Sequence, residues 1–219
     1  MLTIHAAPLV LPVGAAAVAD GAVAVDGDWI AALGPYEEVV AAHPAARVRR
    51  WPGLLTPGLR QDHAAELLTR CYHPDPREAD ELGELPLRGE AFERLAATMD
   101  ATRRAGSVRR GLQRMLRHGT THLAGPLGAD DPALRTAVAR SGLIVRIAPS
   151  PVPLGEGVPD LDPFAAGGDL ARTSHGPLAV GGRADLAVFD VPDEAALYGR
   201  GPRPCVATVL AGRLVHRAR

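Results

Sequence analysis

The first 58 residues alternate apolar and polar positions in short runs, the pattern of extended chain with one covered face. Runs at 21–25 and 29–33 flank Asp26-Gly27-Asp28. This predicts a hairpin, because Gly27 takes positive φ without a Cβ clash. Gly34-Pro35 closes the second strand. Residues 36–42 predict one short helix, stopped before Pro44 because proline disfavours a helical predecessor. Extended chain resumes at 47–51 and 54–55.

The period then changes. Residues 87–105 and 107–118 carry helical spacing, and Val108, Leu112, Met115 and Leu116 form one stripe that Gly119 ends. Residues 120–124 read as a strand. Asp130-Asp131-Pro132 predicts a capped helix running to about Arg140. A carboxylate accepts from first-turn N–H groups, and proline needs no donor at that position. Ser141-Gly142 stops the helix, and 143–148 reads as a strand of the buried type. This order of strands and helices implies a parallel, right-handed βαβαβ layer. Pro149, Pro151, Pro153, Pro159, Pro163 and Pro177 then exclude a central sheet or one helix. Residues 185–190, 205–210 and 213–216 return to strand, with Ala211-Gly212 as a turn.

Composition removes several chemistries. All 24 basic residues are arginine, and lysine and asparagine are absent. A lysine Schiff base, a P-loop lysine and a lysine-derived bridging metal ligand are therefore excluded. A net charge of −1 gives no reason to expect nucleic acid as a partner. Cys71 and Cys205 form no CxxC clamp and no disulfide framework. The opening residues lack a charged n-region and contain Pro8 and Pro12. No apolar run reaches the ~18 residues of a membrane span. The expectation is a cytoplasmic protein with no membrane partner.

A β-rich start, an α/β middle and a β-rich end suggest one small β-sandwich built from both termini, with the middle inserted. DGAVAVDGDWIAALGP, LLTPGL at 54–59, LRHGTTHLAG at 116–125, GPLAVGGRADLAVFD at 176–190 and VATVLAGRLVHR at 206–217 occur in that order. Together they resemble the metal-dependent amidohydrolases, including imidazolonepropionases and aminodeoxyfutalosine deaminases. The resemblance implies a divalent metal, zinc or iron, at the mouth of a (β/α)8 barrel, which makes hydroxide available near neutral pH. It also implies a His-x-His pair just after Pro-Gly-Leu. Here His63 falls on the first histidine, and Ala65, a methyl group, on the second. The family's histidines from the fifth and sixth strands and its aspartate from the eighth have no corresponding segment.

Length agrees. A full barrel takes about 250 residues, and 59–175 is less than half of that. The fold class expected is α/β plus β. A composite sandwich, 1–58 and 176–219, carries an incomplete barrel remnant, 59–148, and a Pro/Gly-rich linker, 149–175. Three barrel strands leave an open edge, to be covered by the linker, a protein partner or a second copy.

Asp62, His63 and Glu66 are the best polar cluster, with His63 and Glu66 on one face if a helix begins after Leu59. Set against a weak metal site or an acid–base pair is a vestigial histidine beside surface carboxylates. His118 and His122 are four apart, but Gly119-Thr120-Thr121 breaks the helix between them. His118 suits a helix C-terminus; His122 lies on the second strand and offers a two-histidine site with His63. His73 and Asp75 read as a solvated loop. Cys71 beside His73 lacks a third, orienting group. Ser174-His175 reads as linker, and Arg49-Arg50, Arg103-Arg104 and Arg109-Arg110 as solvated faces, with phosphate-facing patches as the other reading.

The function expected is an amidohydrolase-like protein, catalytically degenerate because its metal site is incomplete, with no cofactor. The alternative is an active metal-dependent hydrolase of non-peptide carbon–nitrogen bonds, its site rebuilt or completed in an oligomer.

Overall fold

The computed structural model describes residues 2–127, 131–146, 160–165, 168–199 and 205–218. In chain order the first elements are β1 (Thr3–Val10), β2 (Val18–Asp26), β3 (Trp29–Pro35), α1 (Tyr36–Ala42), β4 (Arg47–Arg50) and β5 (Leu54–Pro57). The middle holds β6 (Leu59–Gln61), α2 (Ala64–Thr69), β7 (Cys71–Tyr72), a 3-10 turn (Pro76–Glu78), α3 (Ala79–Leu82), β8 (Leu87–Arg88), α4 (Gly89–Ala96), α5 (Ala101–Arg117), β9 (Thr120–Ala124), α6 (Pro132–Ser141) and β10 (Ile144–Arg146). The last part holds α7 (Leu170–Thr173), β11 (Leu186–Phe189), α8 (Glu194–Gly199), β12 (Cys205–Leu210) and β13 (Arg213–Arg217). Two compact units result: Met1–Arg60 with Leu116–Thr121 and Gly167–Arg219, and Gln61–Met115 with His122–Ala166.

The first unit is organised by an eight-stranded sheet of order β13-β12-β11-β5-β1-β2-β3, with β4 also on β1. β1 pairs along its length with β2, from Thr3↔Val25 to Val10↔Val18. Its other edge is shared by β4, parallel at Thr3↔Arg47, and β5, parallel at Leu9↔Leu54. β5 then pairs antiparallel with β11, Leu54 opposite Phe189 and Pro57 opposite Leu186. Strands from the two ends of the chain are therefore direct neighbours. Alternation sends Ala7, Val23, Val25, Leu55, Val188 and Val209 into one apolar cluster. Ile4, Ala6, Ala22 and Ala24 form another, under Val39 of α1.

Where the sequence suggests a sandwich, the strands run as one hydrogen-bonded path that bends back on itself. β3, at one end of the path, reaches the chain just before β11. Trp29 bridges Arg183, and the Ile30 N–H donates to the Gly182 carbonyl at 2.8 Å. The two hairpin turns also meet, since a Cβ on Gly212 (φ 73°) would lie 1.9 Å from the Gly27 carbonyl oxygen. The hairpin at Gly27 and helix α1 fall where the sequence predicts them.

In the second unit, α5 buries Val108, Leu112 and Met115, the stripe expected. The helix expected over 87–105 is instead divided: β8 and α4 precede a break at 97–100. Asp100 Oδ1 accepts from the Arg103 N–H at 2.7 Å, so a capping residue starts a new helix there. α6 has the expected cap, Asp131 accepting from the Leu134 N–H at 2.9 Å, and ends at Gly142 in the left-handed region. β10 runs parallel to β9, Ile144 opposite His122. It is more exposed than the buried strand expected, with Val145 37% accessible, because it ends the order β10-β9-β6. Residues 147–148 of that expected strand lie outside the described residues. Where linker is expected, 170–173 form α7, started by Asp169 accepting from the Arg172 N–H at 2.8 Å. Among the described residues the middle strands form sheets of three and two, and no barrel closes. Among them no helix is long and apolar enough to cross a membrane.

Candidate functional site

The turn between β6 and α2 carries three of the candidates. Its organiser is Gln61, 1% exposed. The Gln61 side-chain oxygen accepts from the His63 N–H at 3.1 Å, and its amide donates to the Leu161 carbonyl at 2.9 Å. Both ends of one buried amide are thus satisfied by the chain it holds. The sequence reading passes over Gln61. Its signal is a polar side chain two positions past Leu59, on the same strand face as that buried leucine.

His63 occupies the N-cap of α2 rather than its first turn, and its carbonyl accepts from the Leu67 N–H at 3.0 Å. It is buried, at 9% exposure. The i,i+3 relation with Glu66 therefore joins a cap to the first turn, and the His63 side chain makes no capping bond. Asp62 and Glu66 are half-buried. α2 buries Ala64, Leu67 and Leu68, which leaves Ala65 at its half-buried margin. A Cβ on Gly125, just past β9, would lie 3.3 Å from the Ala65 methyl. His122 is 3% exposed within β9, all of whose positions are buried. Asp62, His63, Glu66 and His122 each have a polar, ring or electrostatic partner.

These residues do not fit the metal that the resemblance implies. A catalytic zinc needs about three protein ligands and a water. Ala65 offers no donor. Among the described residues no group of three or more His, Cys, Asp or Glu side chains is placed to hold a metal ion. All eight histidines of the chain are among those residues.

His73 overturns the solvated-loop reading, being 0% exposed. Its N–H donates to Ser107 Oγ at 2.8 Å, and Arg110 Nε donates to its carbonyl at 2.8 Å. Its Nε2 lies 2.9 Å from the Leu67 carbonyl. A carbonyl only accepts, so the proton sits on Nε2, and the buried Nδ1 has no partner among the described residues. Burial, then the guanidiniums of Arg114 and Arg110, brings its pKa down to about 4, so the ring is neutral. Burial also pushes the Cys71 thiol up to about 11. Cys71 is therefore a protonated thiol at neutral pH, not an activated nucleophile.

Around His73 lies an ionic network that the sequence reading treats as solvated faces. The hydroxyl of fully buried Tyr72 donates to the Glu78 carboxylate at 2.7 Å and accepts from Arg103 Nε at 3.0 Å. Arg103 pairs with Glu78 at 2.7 Å, Arg110 with Asp75 at 3.1 Å and Arg104 with Asp131 at 3.3 Å. Arg103 and Arg110 also lie over the Tyr72 ring, 5.3 and 5.8 Å from its centroid. Burial and the Glu78 hydrogen bond push the Tyr72 phenol up. Positions 103 and 110 are seven apart, one face of a helix, which is the signal a sequence reader can use. A cavity of about 200 Å³ beside this network is lined by Pro74, Asp75, Pro76, Ala79, Glu84 and Arg114, and His63 is not in its wall.

His118 follows the last residue of α5, as expected. Ser174-His175, read as linker, instead pairs in the first unit: Ser174 bridges Leu59, and the His175 N–H donates to the Gly58 carbonyl at 3.3 Å.

Residues 21–46, which run from within β2 through β3 and α1, match the imidazolonepropionase-like composite domain of bacteria. The family resemblance read from the sequence is to the proteins that carry this domain. Among solved structures, the chain is similar to an ochratoxinase from A. niger at 17% identity, over 66% of this chain and 30% of that one, TM-score 0.45. It is similar to a guanine deaminase from Bradyrhizobium japonicum at 18% identity, over 66% and 34%, TM-score 0.45. It is also similar to an adenosine deaminase from Xanthomonas campestris, solved with bound zinc, at 20% identity, over 65% and 32%, TM-score 0.44. The chain thus spans about a third of the length of each of these structures. No curated protein matches it.

Proposed function

We propose that this chain is an amidohydrolase-like protein, related to imidazolonepropionase and the cyclic carbon–nitrogen hydrolases and deaminases, that has lost metal-dependent catalysis. On this reading 1–58 and 176–219 form the composite domain and 59–148 a barrel remnant. The observation that carries the reading is at Ala65. The second position of the expected ligand pair is a methyl group 3.3 Å from where a Gly125 Cβ would stand. His63 is then a vestigial first ligand, held by the turn that Gln61 builds. Asp62, Glu66 and His122 belong to the same remnant without a common ion. The protein acts in the cytoplasm, through contact with a protein partner or a second copy rather than through hydrolysis. The β10 edge, with Val145 exposed, is the face such a partner would cover.

Metal analysis of the purified protein, with assays on imidazolone, guanine and aminodeoxyfutalosine substrates, tests the reading. Substoichiometric metal and no turnover are expected. One tightly bound zinc, iron or manganese per chain, with activity lost in His63→Ala, would establish the alternative: a surviving carbon–nitrogen hydrolase whose site is completed in an oligomer.

A further inference from the structure

β4 lies parallel to β1 with Arg47 opposite Thr3 and Arg49 opposite His5. Residues two apart on a strand share a face, so Arg47 and Arg49 stand on the same side of β4. Trp51 continues that side, and its backbone N–H donates to the Ala6 carbonyl at 2.8 Å. Its indole Nε1–H donates to His5 Nδ1 at 3.0 Å, with the two ring planes 15° apart. Arg217, at the end of β13, brings its guanidinium carbon 5.7 Å from the centre of the Trp51 ring. Arg217 thus stands at the indole of a fixed indole–imidazole pair, and Arg49 and Arg47 follow it along one side of the strand, near enough for both Arg47 and Arg217 to act on the Arg49 charge.

Among the described residues they stand without a counter-charge. Among the described residues, Arg47, Arg49 and Arg217 form no ion pair with a carboxylate. Arg49 is half-buried. Its guanidinium pKa is lowered by burial and by the charges of Arg47 and Arg217, with no acid opposing them. The arginines of α5 contrast with these, since Arg103, Arg104 and Arg110 each have a carboxylate. His5 adds no charge: burial and the Arg49 guanidinium bring its pKa down to about 4. Because Nδ1 accepts from Trp51, the proton of the neutral ring is on Nε2.

We propose that Arg47, Arg49 and Arg217, set around Trp51 and His5, form a binding site for a phosphate group. Guanidinium forks match phosphate oxygens two at a time, and a dianion relieves the repulsion among three cations that water alone screens. The cluster is too small for a nucleic-acid track, and the chain's net charge of −1 gives no wider basic field. A phosphate carried by a small molecule is the ligand class that fits.

Trp51 supplies the readout. Trp29→Phe leaves it the sole indole, since the chain has 2 tryptophans. Inorganic phosphate, titrated at constant ionic strength against chloride, should change Trp51 emission saturably and raise the melting temperature. Arg49→Gln and Arg217→Gln should each weaken the response roughly tenfold. Arg217 is exposed, so its variant decides the matter if Arg49→Gln folds poorly. An equal response to acetate would reduce the effect to screening and overturn the site. So would a phosphate titration unchanged in Arg217→Gln, or a glutamate-rich peptide binding where phosphate does not.

Discussion

A Cβ placed on Gly111 of α5 would lie 2.7 Å from both Nε2 and Cδ2 of the His73 ring. That ring cannot retreat freely, because its Nε2–H is held by the Leu67 carbonyl and its backbone by Ser107 and Arg110. Gly111 is a helix residue where alanine is intrinsically favoured, by about 1 kcal/mol. Overpacking works the other way, typically by about 1–3 kcal/mol. Gly111→Ala should therefore leave the protein less stable or at best unchanged, with the His73–Leu67 hydrogen bond disturbed. Urea unfolding of the variant and the His73 ring shifts in NMR check this. A clear gain in stability would show that the ring moves aside without cost.

Two buried neutral histidines make stability depend on acid. His5 and His73 are both lowered to about 4 by burial, and an unfolded histidine titrates near 6.5. Between those values the unfolded chain takes up protons that the folded chain refuses. Stability is therefore full above about pH 6.5 and falls as the pH drops toward 4. The combined loss is on the order of a few kcal/mol. Unfolding free energies at a series of pH values should show this slope, with half of it removed in a folded His73→Gln variant. A flat profile between pH 6.5 and 4.5 would mean that both rings are protonated in place.

The legible parts of this fold are those whose cause is local. Asp26-Gly27-Asp28, Tyr36–Ala42 before Pro44, and Asp131-Pro132 before α6 each carry their own turn or cap chemistry, and each appears where expected. What failed needed knowledge of distant partners. Arg103 and Arg110 read as solvent-facing because Glu78 and Asp75 lie 25 and 35 positions away, on a different element. His73 reads as loop because Pro74 and Pro76 follow it, yet Ser107 and Leu67 draw it inside. Asp100 was hidden inside a helical period that its own capping bond interrupts. At the candidate site, the gap at Ala65 was plain from spacing. The role of Gln61 was not, because its amide acts through Leu161, a hundred residues on.

Asp185 offers a test of the closing hairpin. Its carboxylate accepts from the Ala211 N–H at 2.7 Å and pairs with Arg183 at 3.0 Å, while its side chain is 7% exposed. Ala211 has φ 49°, a left-handed conformation that this bond helps to hold. Asp185→Ala removes a charge-assisted bond and leaves the N–H of half-buried Ala211 without it, at a cost of about 1–3 kcal/mol. Asp185→Asn should recover part of it, since an amide oxygen still accepts from Ala211. Denaturant midpoints of the two variants decide this. Equal losses in both would place the energy in the Arg183 pair rather than in the turn.

The metal question can be put to Ala65 directly. A ligand that binds only the folded state stabilises it by RT ln(1 + [L]/Kd), about 2.7 kcal/mol at a hundredfold excess over Kd. With a methyl group at 65 and no three-ligand group among the described residues, zinc in moderate excess should leave the melting temperature of the parent chain unchanged. Ala65→His adds one imidazole next to the turn that holds His63, but brings it against the chain at Gly125. The variant should gain a weak, two-histidine site, seen as a small zinc-dependent rise in melting temperature that His63→Ala abolishes. It should gain no hydrolysis, because two ligands fall short of the three that hold a catalytic zinc with its water. Strong stabilisation of the parent chain by micromolar zinc would instead mean that a working site survives without position 65, and the degenerate-site reading would fall with it.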